Sequence, residues 1–379
     1  MAWLTLLTGA LSLASLAYVG LAIARLAAFR TRIDKRADQP PVTVLKPICG
    51  IDAELEKNLR SFCEQDYPCY QVVFGVASAA DPAVAIVERV IDMHPARDLE
   101  LVVEPHLVGS NKKAANLANM HARSKHELLV IADSDMRVGP DYLSTVAAAF
   151  ADQAVGAATC LYKASPAPGP VSALAAAAIN EWFLPSVLVA VTFAKPDYCF
   201  GATMAVRRRV LDRIGGFERL AAHLADDYLL GNRVAKLGYR VELVPYLVEN
   251  IVLEDGFRSL LEHELRWART LRLVRPLGYA FLFITFATPL SLIFLASAPG
   301  PAALGTLGTA LALRTGMHYL ARRRLALAGP ARPWLAPVRD LLSLWVWIAS
   351  FFGRRISWRE QSFSIADNGE LLSHEPESP

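Results

Sequence analysis

Long uncharged runs and shorter mixed segments alternate along this chain, and the alternation divides it into regions. From Ala2 to Ala24 no residue is charged, and about 20 apolar residues suffice to span a bilayer core. Arg25, Arg30, Arg32, Lys35 and Arg36 follow directly. By the positive-inside rule this sets the N-terminus outside and the following chain in the cytosol. A cleavable signal peptide would need a basic start and a shorter apolar core. Residues 1–26 therefore read as an uncleaved transmembrane anchor.

After a short Pro-containing linker, Asp38 to Pro41, the period of the pattern changes. Val42 to Leu45, Tyr70 to Val76, Leu99 to Val103 and Leu128 to Ala132 are apolar runs of strand length. Between them, Leu55 to Phe62, Ala83 to Met93 and a segment starting near Ala114 have helical spacing. Asp141 to Phe150 reads as a helix, Val155 to Leu161 as a strand, Leu229 to Leu237 as a helix and Arg240 to Val244 as a strand. Strands alternating with helices at this spacing predict an α/β domain with a mostly parallel sheet over residues 41–275.

Inside that domain, residues 171–194 are almost wholly apolar, yet Asn180, Glu181 and Pro185 sit near the centre. A charge at mid-bilayer costs a few kcal/mol or more, which favours a helix at the membrane interface or one lining an apolar acceptor cleft. A buried core helix fits the same pattern. Tyr279 to Ala298 is uncharged and of spanning length. Ala302 to Leu320 is a further candidate, with Arg314 and His318 near its end. Leu335 to Phe352 holds Arg339 and Asp340 and is basic on both flanks, which suits a re-entrant element as readily as a crossing. Residues 279–353 thus read as C-terminal membrane helices, and 367–379 as a polar, disordered tail.

Composition supports a membrane-associated chain: 54% of the 379 residues are hydrophobic and 20% are charged. A net charge of +3 gives no reason to expect a nucleic-acid partner. The five cysteines are odd in number and lack metal-ligand spacing, as expected of reduced thiols in a cytosolic domain.

The candidate chemistry begins where the Leu128 strand runs into Asp133-Ser134-Asp135. Ligands of parallel sheets gather at the carboxyl ends of strands. Two carboxylates at spacing i, i+2 there can share one hard cation, which can then hold a diphosphate; a solvated turn is the ordinary alternative. Asp81 stands where it can cap a helix or meet a base or ribose. Gly109-Ser110-Asn111-Lys112-Lys113 leads into a helix N-terminus, a setting suited to phosphate. Asp226 and Asp227 open another helix, either as dipole-favoured acids or with one of them as a general base. On a helix from Leu260 to Leu273, His263 and Arg266 share a face. The Arg266 fork suits phosphate, and Trp267 suits a ring or an interface.

The ordered set Val44-Leu45-Lys46-Pro47, Asp81-Pro82, Gly109 to Leu117, Asp133-Ser134-Asp135, Cys199 to Met204, Leu224 to Tyr228, His263 to Trp267 and Ile356 to Arg359 resembles processive-type membrane glycosyltransferases with a GT-A (nucleotide-diphospho-sugar transferase) fold. It is similar in particular to the ceramide glucosyltransferase-like family (glycosyltransferase family 21/2) and its bacterial hopanoid-associated relatives, over about Val42 to Trp358. The resemblance implies that Asp81 contacts the nucleotide. It implies that Asp133 and Asp135 bind Mg²⁺ or Mn²⁺ and the UDP diphosphate, and that Lys113, Arg266 and Trp267 belong to the nucleotide-sugar site. Asp227 matches the expected catalytic base. His263 departs from the Q/R that opens the family's last motif. The implied reaction moves a sugar, with UDP-N-acetylglucosamine the favoured donor, to a hydroxyl of a bacteriohopanetetrol-type hopanoid, with inversion. Glucosylation of ceramide from UDP-glucose is the near alternative. A polysaccharide synthase, or a non-catalytic membrane binding protein, represents other classes. The expected setting is the bacterial inner membrane with the catalytic domain cytosolic.

Overall fold

The computed structural model describes residues 2–32, 39–106 and 108–353, with the backbone of three further strands, Arg355–Trp358, Gln361–Ile365 and Leu371–Ser373. Lys35, Arg36, Asp38 and Arg359 lie outside the described residues, as does most of the tail from Asp367, within which Leu371–Ser373 is a strand. By contacts the chain forms two compact units. A sheet unit comprises Arg30–Lys163, Lys195–Val252 and Ile365–Pro379. A helical unit comprises Met1–Phe29, Ala164–Ala194 and Leu253–Ser364. The helix that carries His263 to Trp267 therefore groups with the apolar helices.

The sheet unit holds β1 (Val42–Pro47), β2 (Tyr70–Val76), β3 (Asp98–Val103), β4 (Leu128–Ile131), β5 (Met136–Arg137), β6 (Val155–Pro166, whose last three residues group with the helical unit), β7 (Met204–Arg207) and β8 (Arg240–Val252), in the order β3-β2-β1-β4-β7-β6-β8-β5. The half β3-β2-β1-β4 is parallel, with Val42 opposite both Tyr70 and Leu128. Beyond β4 the sense changes: β7 is antiparallel to β4 and to β6, and β5 to β8. The parallel pairs need long crossovers, which the amphipathic helices supply; β7 returns after a long excursion and is free of that constraint. Every residue of β1, β2 and β4 is buried. Their period of two sends Val44, Val72 and Val130 into one core cluster and Leu45, Val73 and Ile131 into another, on opposite faces. Both faces being covered, the strands are mostly apolar, and the polar Thr43, Lys46 and Gln71 are buried with them.

In the helical unit, Ala2–Ala28 is one helix, and Pro170–Ala178, Ile179–Phe183 and Leu184–Phe193 run on as a second. Both are long and apolar enough to cross a membrane. Ile179–Phe183 is a π-turn. Pro185 has no N–H to donate and its ring would strike the carbonyl four residues earlier, at Glu181; the wider turn accommodates it. The polar pair finds partners within its own unit, although Glu181 Oε2 is buried without a hydrogen bond among the described residues. Asn180 exchanges two 2.8 Å hydrogen bonds with the Ala164 backbone, and Glu181 Oε1 lies 2.7 Å from His318 Nδ1.

The run Tyr279 to Ala298 is not a single helix. It divides into Pro276–Ala280, Leu282–Thr285 and Ala287–Ser297, with Phe286 non-helical at ψ 86°. Pro301–Arg324 and Leu335–Ser350 follow. The charges in these apolar segments pair with one another. Arg314 Nη2 is 2.8 Å from Asp340 Oδ1, Asp340 Oδ2 accepts from Thr288 Oγ1 at 2.9 Å, and Arg339 forks onto Glu264. Arg339→Ala would leave Glu264 buried and uncompensated, so we expect a stability loss of about 3–5 kcal/mol. A fall in thermal midpoint in detergent, partly recovered by adding Glu264→Gln, is the check.

Candidate active site

Past the end of β4, Asp133, Ser134 and Asp135 form a tight turn in which Met136 N donates to the Asp133 carbonyl at 3.2 Å. Asn250, on β8, donates to Asp135 Oδ2 at 2.8 Å, and Ser134 Oγ donates to Asp52. Burial, with the neighbouring charges of Asp133 and Asp52, pushes the Asp135 carboxyl up to about 7. Lys46, fully buried near the end of β1, donates from Nζ to the Asp133 carbonyl and stands 3.8 Å over the Phe62 ring. Its burial lowers the ammonium to about 7 even though Asp133, Asp135 and Asp52 pull the other way. A buried lysine thus anchors the turn. Its role, like those of Asn250 and Asp52, is absent from the sequence reading. Lys46 had a signal, as the one charge in an otherwise apolar strand; the other two are joined to the turn only by tertiary structure.

Lys113 approaches the same turn. The loop before it is clamped: Gly109 has φ +79° and a Cβ there would lie 2.5 Å from the Ala221 carbonyl oxygen. Asn111 caps the helix Lys112–His121 through Oδ1, which accepts from Ala114 N at 3.0 Å. Lys113 Nζ lies 2.6 Å from Asp133 Oδ1 and 3.6 Å from Asp226 Oδ2. Burial alone would lower the Lys113 ammonium, but Asp133, Asp226 and Asp227 outweigh it and raise it above the usual lysine range.

Asp227 sits in the first turn of the helix Asp226–Lys236. Its Oδ1 accepts from Tyr228 N at 2.7 Å and its Oδ2 from Gly201 N at 2.9 Å. Burial and the adjacent Asp226 raise its carboxyl to about 6, with Lys113 opposing. Gly201 marks where these groups meet. A Cβ on it would lie 2.8 Å from Asp133 Oδ2, 3.4 Å from Lys113 Nζ and 3.6 Å from Asp227 Oδ2. Gly201→Ala is therefore expected to displace Asp133 and lower the affinity for a nucleotide-sugar about tenfold, since about 1.4 kcal/mol suffices for that; titration calorimetry is the check.

Asp133, Asp135, Lys113 and Asp227 are thus brought together in the sheet unit. Asp81 lies on another loop of that unit, where its carboxylate accepts from Gly50 N and Ala83 N, each at 2.9 Å. That is the turn-forming role, just before the helix Val84–Met93. Arg266 and Trp267 belong to the helix Phe257–Val274 of the helical unit. Beside them, His263 Nδ1 is 3.0 Å from Glu254 Oε1 and its ring centroid 4.3 Å from that of Trp267.

Among the described residues no three His, Cys, Asp or Glu side chains gather to hold a metal. The Asp133–Asp135 pair nevertheless fits a divalent ion that takes its other oxygens from a diphosphate and water. The Asp135 carboxyl is raised mainly by burial, and the part contributed by Asp133 and Asp52 is negative charge that such an ion would offset.

The profile described as Glycosyl transferase family 21 matches residues 7–371. Over 360 residues the chain is 23% identical to ceramide glucosyltransferase 3 of Caenorhabditis elegans, covering 90% of this chain and 76% of that protein. It is 25% identical over 205 residues to ceramide glucosyltransferase 1 of the same organism, covering 54% of this chain and 44% of that protein, so less than half of that relative's length is spanned. Among solved structures, a mannosyltransferase from Pyrobaculum calidifontis in complex with GDP-Man and Mn²⁺ superposes with a TM-score of 0.55 at 23% identity, over 91% of this chain and 99% of that one. This likeness identifies the fold.

Proposed function

The chain belongs to glycosyl transferase family 21 and has a GT-A-like fold, and from that premise we propose that it moves a hexose from a UDP-sugar to a hydroxyl of a membrane lipid, inverting the anomeric carbon. The observation that carries this reading is the convergence of Asp133, Lys113 and Asp227 beside Gly201. In this reading Asp133 and Lys113 handle the diphosphate and Asp227 accepts the proton. Asp133 and Asp135 are the residues that would hold Mg²⁺ or Mn²⁺, and such an ion neutralises charge on a leaving diphosphate. Lys113, held in the site by Asp133, supplies a fixed positive charge for the same purpose.

In the proposed step the acceptor hydroxyl oxygen bonds to the anomeric carbon while the bond from that carbon to the UDP oxygen breaks. The hydroxyl proton passes to the Asp227 carboxylate and the electron pair leaves on UDP. The Gly201 and Tyr228 amides orient that carboxylate and leave each oxygen a further lone pair for the incoming hydroxyl. Attack opposite the leaving group converts an α-linked donor into a β-linked product. Arg266 and Trp267, with Asp81, are proposed as further donor contacts on the strength of the family motifs alone.

A general base must be ionised. With its carboxyl near 6, transfer is expected to fall about tenfold per pH unit below that value. Asp226→Asn removes the neighbouring negative charge and should shift this acid limb to lower pH, which a kcat/KM profile measures.

A bacteriohopanetetrol-type acceptor with UDP-N-acetylglucosamine is one proposed pair, from the sequence resemblance. Ceramide with UDP-glucose is equally supported, by the names of the C. elegans relatives. The two helices of spanning length support a setting in the bilayer, proposed as the bacterial inner membrane with the sheet unit cytosolic. Membranes containing the protein, incubated with each UDP-sugar and both lipids, are expected to yield a glycosylated lipid by mass spectrometry. Glucosylceramide without a hopanoid product would select the second reading, and no glycolipid at all would refute both.

A further inference from the structure

Three half-buried aromatic rings accompany Asp227. Tyr198 and Tyr228 are stacked, with centroids 6.2 Å apart and planes 18° from parallel, and Tyr198 meets Phe200 edge-on at 5.4 Å. Backbone contacts fix their placement. Cys199 N donates to the Asp227 carbonyl at 3.3 Å, Gly201 N to the Asp227 carboxylate at 2.9 Å, and Phe200 N to Thr159 Oγ1 at 2.8 Å. Gly231, four residues along the helix from Asp227, lets the loop dock: a Cβ there would lie 2.4 Å from Tyr198 Cα. The loop that orients the proposed base therefore carries two of the rings, and the residue next to the base carries the third.

The site has two demands to meet. A nucleotide diphosphate needs charged groups, and these lie toward Asp133, Asp135 and Lys113. A lipid alcohol must bring its hydroxyl to Asp227 while its carbon skeleton stays out of water. Tyrosine and phenylalanine faces offer a rigid apolar surface for such a skeleton, and the tyrosines keep a polar tip. We propose that Tyr198, Phe200 and Tyr228 form the acceptor wall, contacting the carbon skeleton beside the hydroxyl to be glycosylated and so selecting the lipid. This assignment rests on the sugar-to-lipid reading above.

The test uses the full-length protein in nanodiscs, with ceramide and bacteriohopanetetrol as acceptors and UDP-glucose and UDP-N-acetylglucosamine as donors. Tyr198→Leu, Phe200→Leu and Tyr228→Leu are compared with Tyr198→Phe and Tyr228→Phe. Loss of a ring face is expected to raise the acceptor KM about tenfold, with the donor Kd, measured without acceptor, unchanged. The phenylalanine variants keep the ring face and should raise the acceptor KM less than the leucine variants do. An unchanged acceptor KM in the leucine variants overturns the assignment, as does an equal weakening of donor and acceptor, because that is what general damage around Asp227 would produce. Where a leucine variant does not fold, Phe200→Met and Tyr228→Met carry the same comparison. Failure of the wild type to glycosylate either lipid is a separate outcome, which refutes the sugar-to-lipid reading itself.

Discussion

Asp227→Asn is expected to lower sugar transfer about a thousandfold, within the range removed when a positioned general base is lost, while UDP-sugar binding persists. The geometry makes this separation specific. Both oxygens of Asp227 accept backbone N–H groups, from Tyr228 and from Gly201. An asparagine has one acceptor oxygen, so its NH₂ must face one of those amides, donor against donor. The variant therefore loses its basicity and one orienting contact together, with a local stability cost of about 1–3 kcal/mol. The groups at the diphosphate end, Asp133 and Lys113, keep their own 2.6 Å contact. Initial rates with labelled donor, alongside calorimetric donor binding and a thermal midpoint, check all three parts. A variant with unchanged transfer would remove Asp227 as the base.

The second large effect is expected at the other end of the site. Asp133→Ala removes one of the two carboxylates proposed to hold a divalent ion and strips Lys113 of its nearest counter-charge. Truncating one member of such a charge pair costs about 3 kcal/mol, or roughly a hundredfold in affinity. Metal-dependent donor binding should fall by about that factor, and a chelator should reproduce the loss in the wild type. Asp135→Asn should be milder, because a carboxamide oxygen still accepts from Asn250. Manganese binding in the presence of UDP, followed by electron paramagnetic resonance, separates the two variants. Equal losses at both positions would show that the ion does not favour Asp133.

Much of this arrangement was legible in the chain. The apolar runs of β1, β2 and β4 announced strands, and each lies within a residue or two of its expected bounds. Asp133, Asp135 and Asp227 follow strand-end and helix-start rules that need no tertiary information. The antiparallel half of the sheet was not legible, because β7 spans only four residues and its direction depends on the path of the chain before it. Pattern alone also showed Tyr279 to Ala298 as one span, since hydropathy is blind to the break at Phe286. The same limit explains Lys46 and Asn250. Their importance comes from what they touch, the Asp133 carbonyl and the Asp135 carboxylate, and contact across the sheet leaves no periodic trace in sequence. Charges that looked costly in apolar runs, such as Arg314, Arg339 and Asp340, are each paired in the folded helical unit.

In the proposed single displacement Asp227 takes the proton of a lipid hydroxyl while UDP departs from the opposite face of the sugar. The anomeric configuration of the product tests it most directly. Glycolipid made by the full-length protein from an α-linked UDP-sugar, isolated and examined by proton NMR, should show the large anomeric coupling of a β-linked hexose. An α-linked product would rule out a single displacement.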